Sequence, residues 1–536
     1  MSNERRLAKQ GDKQMKPMDA PSVAPPSLSR RRFLLNGATL TTAVLTSGIL
    51  GLTSLAAGET PMDMNGGTRG VPRAPYDKDA PLIEPEVRRA VNGELRTTLR
   101  AGYAYKDMGG YRLSLRSYEG NIPGPTLRLR PGDVLRIRLV NDLPPNPDPV
   151  PLDMALPHHF NTTNFHSHGL HVSPGGISDN IFRSMEPGQS YDIEIAIPAD
   201  HPRGTYWYHP HHHGSADVQM TSGMAGALIV EGDFDDVPEI AAAGERLLIL
   251  NEVLFDYRGT IEVYDTVWPE AVPRFLSVNG QRDPIIRMRP GEVQRWRIVH
   301  AGHEDNLRLA LEGHGLQVIA YDGIRRPEIE HDDTLLMAPG QRADVLVQAG
   351  AAGSYALCAI ANDQGYPSPV GPLARIVVEG EPLAMALPAA LGKAPLATIG
   401  DEEITNTRRL TLSVDEPESP PSANYQEFTY LVCGRHFDPN RVDQRIPLGA
   451  VEEWTVVNEH EDEHIFHIHT NPFQMVAVNG EKLAERDWHD TVVVPRKGSV
   501  TFRSRFLDFT GRFVLHCHMM NHEELGMMQV VEVYAP

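Results

Sequence analysis

Cysteine is scarce: Cys358, Cys433 and Cys517 are the only three in 536 residues. A disulfide framework of the kind that holds small secreted domains together is excluded, and one bridge at most is possible. Positive charge is also short. The formal net charge is −20, and residues 1–57 hold eight Lys/Arg against three Asp/Glu, so the remainder is more acidic still. Such a surface repels phosphate backbones and anionic lipid, which excludes nucleic acid and a membrane surface as partners and leaves neutral or cationic small molecules. Long helical periodicities are wanting too, whereas turn formers abound, with 46 Gly and 44 Pro. Hydrophobic residues at 41% and charged residues at 22% mark a globular chain, and its length exceeds what one core can hold, so about three domains are expected.

The one long weakly charged run, Phe33 to Ala57, follows Ser29-Arg30-Arg31-Arg32 and ends in small residues. It resembles a twin-arginine signal, which makes residues 1–57 a removable leader and predicts a periplasmic or secreted protein with no membrane contact after cleavage.

Beyond the leader one unit recurs. Arg130-Pro131-Gly132-Asp133-Val134, Arg289-Pro290-Gly291-Glu292-Val293 and Pro447-Leu448-Gly449-Ala450-Val451 place their glycines 159 and 158 residues apart. A second marker agrees, beginning at Gly204, Gly353 and Gly511. Each Gly turn opens a period-two pattern, such as Leu135, Ile137 and Leu139 against Val134, Arg136, Arg138 and Val140, which reads as a half-buried strand. Three homologous antiparallel β-sandwiches follow, spanning 75–235, 236–385 and 396–536, with a Pro/Ala-rich linker near 381–395.

Histidine is in excess. Chance would place about one His-x-His pair in a chain with this many His; there are five, at His166/His168, His209/His211, His211/His213, His467/His469 and His516/His518. On a strand, residues i and i+2 share a face, so each pair offers two imidazoles to one spot. Four pairs supply eight ligands, and if the first and third repeats face each other these converge on their interface, enough for three coppers with positions open to a small ligand.

The segment HCHMMNHEELGM adds a second kind of site. Cys517 lies between His516 and His518 and so points away from both; in HIFHIH, His464 falls on the face opposite His467 and His469 if the strand is extended. Cys517 and His464 can then meet, and with His522 and Met527 they complete two imidazoles, a thiolate and a thioether, the ligand set of a blue-copper electron-transfer centre. Cys517 is covalently joined to two cluster histidines, which wires an electron-accepting copper to a dioxygen site.

These motifs resemble the copper-binding signatures of the multicopper oxidases, over roughly residues 75 to 536. The resemblance implies three tandem cupredoxin-like Greek-key domains, an all-β fold, and four copper ions. It assigns His166 and His467 to a lone type 2 copper, His168, His209, His211, His469, His516 and His518 to a type 3 pair, and His464, Cys517, His522 and Met527 to the type 1 copper. The middle repeat has Cys358 and Ile360 where the outer repeats have ligands, and so is expected to carry no copper and to set geometry only. Family members also use acidic residues beside the cluster, for which Asp179 and Glu523 stand in the right positions. His212 and His213 exceed the pattern and are expected at the surface, while Cys358 and Cys433, in different repeats, are expected to be buried free thiols.

The implied activity is oxidation of a small donor, one electron at a time, coupled to reduction of O2 to water. Donation needs contact near an exposed edge of a type 1 histidine. The 18 Met form no run of the kind that accompanies cuprous-ion oxidases, which favours a phenol or aromatic amine. Glu459, Glu461, Asp462 and Glu463 crowd the approach to His464 and could attract a metal ion instead. A copper-binding protein without catalysis is the alternative of a different class.

Overall fold

The computed structural model describes residues 71–147, 149, 156–267, 274–415 and 428–536; the expected leader lies outside these. The helices among them are short, Ala216–Thr221, Pro238–Ala241 and Met520–Glu524, and none is long and apolar enough to cross a membrane. Strands carry the fold, in six sheets of four to seven strands that fall in pairs along the chain.

The recurring glycine explains itself in the backbone. Gly132, Gly291 and Gly449 all have left-handed φ, of 91°, 79° and 94°, a conformation that costs glycine little and other residues much. The strands that follow, Val134–Asn141, Val293–His300 and Ala450–Asn458, each bury a large apolar side chain five residues after the glycine: Ile137, Trp296 and Trp454. In the first of these strands Leu135, Ile137 and Leu139 face the core and Arg136 and Arg138 face out, the alternation expected for a sheet solvated on one side.

The sheets are mixed, which corrects the antiparallel expectation. Glu94–Met108 runs parallel to Val134–Asn141, Gly244–Leu254 to Val293–His300, and Asn406–Asp415 to Ala450–Asn458. In every repeat the chain makes a hairpin, crosses to the opposite sheet for one short strand, and returns to the first sheet beside its opening strand. A crossover of that kind brings a strand back parallel, and alternation of residue types carries no trace of it. The Pro/Ala-rich stretch is no free linker: the N–H groups of Leu383 and Met385 bond to the carbonyls of Pro290 and Gly291 at 2.8 and 3.2 Å. No disulfide forms. Cys358 is half-buried, but Cys433 is exposed, contrary to expectation, because it sits in the tight left-handed turn after Thr429–Val432 (φ 51°).

Several contacts hold the repeats together near the candidate site, among them two that join all three. One is apolar, with Trp207, Met220, Ala227 and Ile229 of the first repeat against Leu247, Ile249 and Val299 of the second and Met520 of the third. The other is a buried ionic node. Asp217 accepts hydrogen bonds from His303 Nδ1 at 2.7 Å and Tyr264 Oη at 2.8 Å, Glu524 accepts from the N–H of Asp217 at 3.1 Å, and the N–H of Met520 donates to the His303 carbonyl at 2.9 Å. Burial alone would depress His303, but Asp217 outweighs it, with Glu304 and Glu252 adding to the pull, and carries it up to about 9. A folded pKa above the ordinary histidine value of about 6.5 contributes stability that is complete below that value and lost as pH rises through the folded one. His303→Gln should therefore destabilise the fold at about pH 6 by on the order of 3 kcal/mol, seen as a lower midpoint of thermal unfolding, and the gap to the parent should close toward pH 10. Parallel pH profiles for the two proteins would show that this ion pair does not hold the repeats.

Candidate metal centre

The paired histidines sit on short strands of facing sheets. His166–His168 pairs with Gly204–His209 so that His166 lies opposite His209, and His464–Ile468 pairs with Gly511–Cys517 so that His467 lies opposite His516. The two halves meet ring to ring. His166 stacks on His469 at 3.8 Å and His168 on His467 at 3.9 Å, with interplanar angles of 8° and 12°. All eight of the expected imidazoles are buried. Their ring nitrogens gather in overlapping triads, His166/His168/His467, His168/His209/His518 and His211/His469/His516, each within 4.8 Å.

The hydrogen bonds on the outer sides of the rings decide which nitrogen faces inward. His209 Nδ1 meets the Pro210 carbonyl at 2.8 Å, and His516 Nδ1 meets the Cys517 carbonyl at 3.0 Å. Nε2 of His209 is thereby turned to His168, and Nε2 of His211, His469 and His516 close on one another at 3.1 to 3.3 Å. Burial and mutual repulsion hold most of these imidazoles far below the ordinary range, His209 at about 3 and His211 at about 4, so they are neutral and present lone pairs. Nε2 of His166 and of His467 is fully buried without a hydrogen-bond partner among the described residues. An unpaired buried nitrogen costs about 1–3 kcal/mol, so inward lone pairs with nothing to accept from fit a cation between them.

The two acidic residues expected beside the cluster are there. Asp179 reaches His166 Nδ1 at 3.0 Å and accepts the Ser167 N–H at 2.9 Å, and burial raises its carboxyl to about 7. Glu523 is fully buried and meets Nδ1 of His516 at 2.9 Å and of His211 at 3.4 Å. Burial pushes it up, but these two imidazoles pull harder and hold it at about 2. His212 and His213 are not at the surface as expected: both are half-buried, and His213 lies 3.4 Å from Glu524 and edge-on to Phe437, because the turn they occupy is wedged between the outer repeats.

Asp490 and Thr491 escaped the sequence reading. Asp490 Oδ1 accepts from His168 Nε2 at 3.1 Å, its carbonyl accepts from His467 Nδ1 at 2.7 Å, and Thr491 Oγ1 lies 3.1 Å from the same nitrogen. Their one signal is position: Thr491 opens the strand Thr491–Val494 that borders His464–Ile468, and Asp490 is the residue just before it.

The second constellation also assembles. Cys517 Sγ is 3.7 Å from His464 Nδ1 and 3.6 Å from His522 Nδ1, and those nitrogens are 3.1 Å apart. Met527 is fully buried in the same core, and its carbonyl accepts the Cys517 N–H at 2.9 Å. Burial pushes the thiol up to about 12, so a bound cation is what would hold it as the thiolate a copper centre requires.

The histidine edge is not exposed, which corrects the expected mode of donor contact. His464 and His522 are 0% and 2% accessible. Tyr430 stacks on His522 at 4.2 Å, and the middle repeat covers the His464 side, where the Glu463 N–H bonds to the Gln364 carbonyl at 2.7 Å. Of the acidic residues there, Asp462 is buried, Glu463 accepts from Asn306 at 2.7 Å and Glu461 pairs with Lys497 at 3.1 Å.

Comparison with known proteins agrees with this geometry. Three models described as Multicopper oxidase match residues 156–234, 257–379 and 410–536. The multicopper oxidase mco of Staphylococcus aureus is 25% identical over 433 residues, covering 78% of this chain and 83% of that protein. The cell division protein FtsP of Escherichia coli is 25% identical over 483 residues, covering 87% and 90%. Among solved structures, a Campylobacter jejuni multicopper oxidase described as a metallo-oxidase superposes with a TM-score of 0.70 at 25% identity, over 87% of this chain and 97% of that one. Three cupredoxin-like repeats, the clustered imidazoles and matches to the family in each repeat lead to one conclusion: this chain belongs to the multicopper oxidase family.

Proposed function

We propose that the protein oxidises small phenols or aromatic amines, one electron at a time, at a mononuclear copper held by His464, Cys517, His522 and Met527. The electrons reduce O2 to water at a trinuclear cluster between the first and third repeats. His166 and His467 would hold its lone copper, and His168, His209, His211, His469, His516 and His518 its pair. Four copper ions supply storage for the four electrons that dioxygen takes and the place where it binds.

The observation that carries this reading is the position of Cys517. Its sulfur faces His464 and His522 while its chain neighbours His516 and His518 belong to the imidazole triads, so both sites share one short stretch of backbone. A binding or buffering protein has no need of that link. Asp179 lies at Nδ1 of His166 and Glu523 at Nδ1 of His516 and His211, on the outer side of the rings, placed to pass protons toward the site. Tyr430, which stacks on His522, is itself buried, so a donor would meet the outer side of this cover and give its electron by outer-sphere transfer. A twin-arginine leader at 1–57 would deliver the folded, loaded protein to the periplasm or exterior.

The likeness to a structure described as a metallo-oxidase favours a second reading, with cuprous or another metal ion as donor. Against it, the acidic residues near His464 are largely answered by Lys497, Asn306 and burial. Oxygen uptake by the copper-loaded protein, measured in parallel with a simple phenol and with cuprous ion, separates the two. Faster uptake with the phenol is expected; faster uptake with cuprous ion would replace the phenol-oxidase reading, and uptake with neither would return the chain to a binding role.

A further inference from the structure

The middle repeat supplies no imidazole to the cluster, yet one of its side chains lies directly behind it. Arg342, on the strand Arg342–Gln348, is fully buried and makes a two-pronged contact with Asp490. NH1 reaches Oδ1 at 2.8 Å and NH2 reaches Oδ2. The remaining guanidinium protons go to the carbonyls of Thr205, Gly340 and Asp322 at 3.0 to 3.2 Å, so every donor is used and the plane is fixed. Asp322 ties down the other side, accepting from the N–H groups of Arg342 at 2.9 Å, Asp490 at 3.2 Å and Thr491 at 3.3 Å.

We propose that Arg342 is a positioning residue for the trinuclear site, holding Asp490 so that His168 turns Nδ1 and His467 turns Nε2 toward the metals; this rests on the oxidase reading above. The two histidines need opposite tautomers. His168 donates from Nε2 to Asp490 Oδ1, which leaves Nδ1 as the lone pair facing His209 at 3.4 Å. His467 donates from Nδ1 to the Asp490 carbonyl, which leaves Nε2 inward. Thr491 Oγ1 donates to Asp490 Oδ1 at 2.8 Å and so turns its lone pairs to His467. One residue thus sets both rings, His168 through its carboxylate and His467 through its backbone carbonyl, and a carboxylate whose two oxygens are both pinned holds the first without rotating.

The fold makes room for this contact at two glycines. A Cβ on Gly169, directly after His168 and at φ 87°, would lie 2.2 Å from Arg342 NH2 and 2.6 Å from Asp490 Oδ2. On Gly340, at φ 91°, it would lie 2.9 Å from the His518 ring. The turn before Arg342 is therefore pressed against the cluster, and Gln341 adds a bond from Nε2 to the Thr491 carbonyl at 3.0 Å.

Three variants test this: Arg342→Lys, Arg342→Met and Asp490→Asn. Each is loaded with copper and read by copper content per chain, by the visible band of the mononuclear site, and by the near-ultraviolet absorption of the coupled pair. Arg342→Met should keep the visible band but bind trinuclear copper about 10–100-fold more weakly, the usual cost of losing an outer partner of a metal ligand. Arg342→Lys, which keeps the charge but not the fork, should fall between. Should Arg342→Met fail to fold, with two carboxylates left buried, Asp490→Asn decides. Both oxygens of Asp490 face the guanidinium, and Oδ1 faces His168 as well, so wherever the amide NH2 lies it opposes an N–H of Arg342: the two-pronged contact is lost and His168 is no longer held with its proton on Nε2. Retained trinuclear copper in Asp490→Asn, or in a folded Arg342→Met, overturns the proposal. A parent protein that takes up copper only at the mononuclear site overturns the oxidase reading itself, and this proposal with it.

Discussion

Cys517→Ser should abolish the intense visible absorption of the copper-loaded protein and reduce oxygen uptake to background with every donor. The exchange is close to isosteric and the residue is fully buried, so packing against Phe466 and Leu515 changes little, and the midpoint of thermal unfolding without metal should move by only a few degrees. What is lost is the soft thiolate that selects copper and gives the site its colour. The two neighbouring imidazoles remain in place, so copper should still enter the triads and the near-ultraviolet absorption of the coupled pair should persist. A variant that stays blue would show that the mononuclear site lies elsewhere, and one that is colourless but still consumes oxygen would show that electrons do not pass through residue 517.

Glu523→Gln should separate the two halves of the reaction. Glu523 touches the histidines His516 and His211 and no donor surface, so reduction of the blue site by a phenol should proceed at the parent rate. Reoxidation by O2 should slow by roughly 10²-fold, the lower end of what a placed acid–base group contributes. The ionised carboxylate can take up a proton and pass it on, whereas the amide retains one carbonyl for a ring N–H but cannot do so. Stopped-flow mixing of the fully reduced variant with oxygenated buffer measures this step alone. Reoxidation at the parent rate would remove Glu523 from proton delivery and leave it as a holder of imidazoles.

The eight imidazoles and the sulfur were legible in the sequence because their placement is local. A strand has a period of two, so His-x-His names a shared face and the cysteine of His-Cys-His names the other. The three-fold repetition was legible for a similar reason, since a Gly with left-handed φ before a strand leaves its mark at a fixed place. Parallel pairing of the opening strands was not, because it follows from a crossover between sheets that residue alternation does not encode. Arg342 and Asp490 were invisible on other grounds. They stand 148 residues apart, neither belongs to a patterned motif, and an Arg or Asp is read as surface until its partner is known. His464 and His522 could be named as a pair, but not the cover that Tyr430 and Gln364 place over them, since it comes from separate parts of the chain.

Imidazoles that touch across the cluster, such as His211 and His516, stand 305 residues apart. Contacts of such long span form late in folding, after each repeat has settled its own strands. Copper bound there grips both outer repeats together and the separated chain hardly at all, so by mass action it resists their parting. The metal supply available when the chain folds would then govern how long the protein survives, with the copper-free chain the one more open to proteolysis.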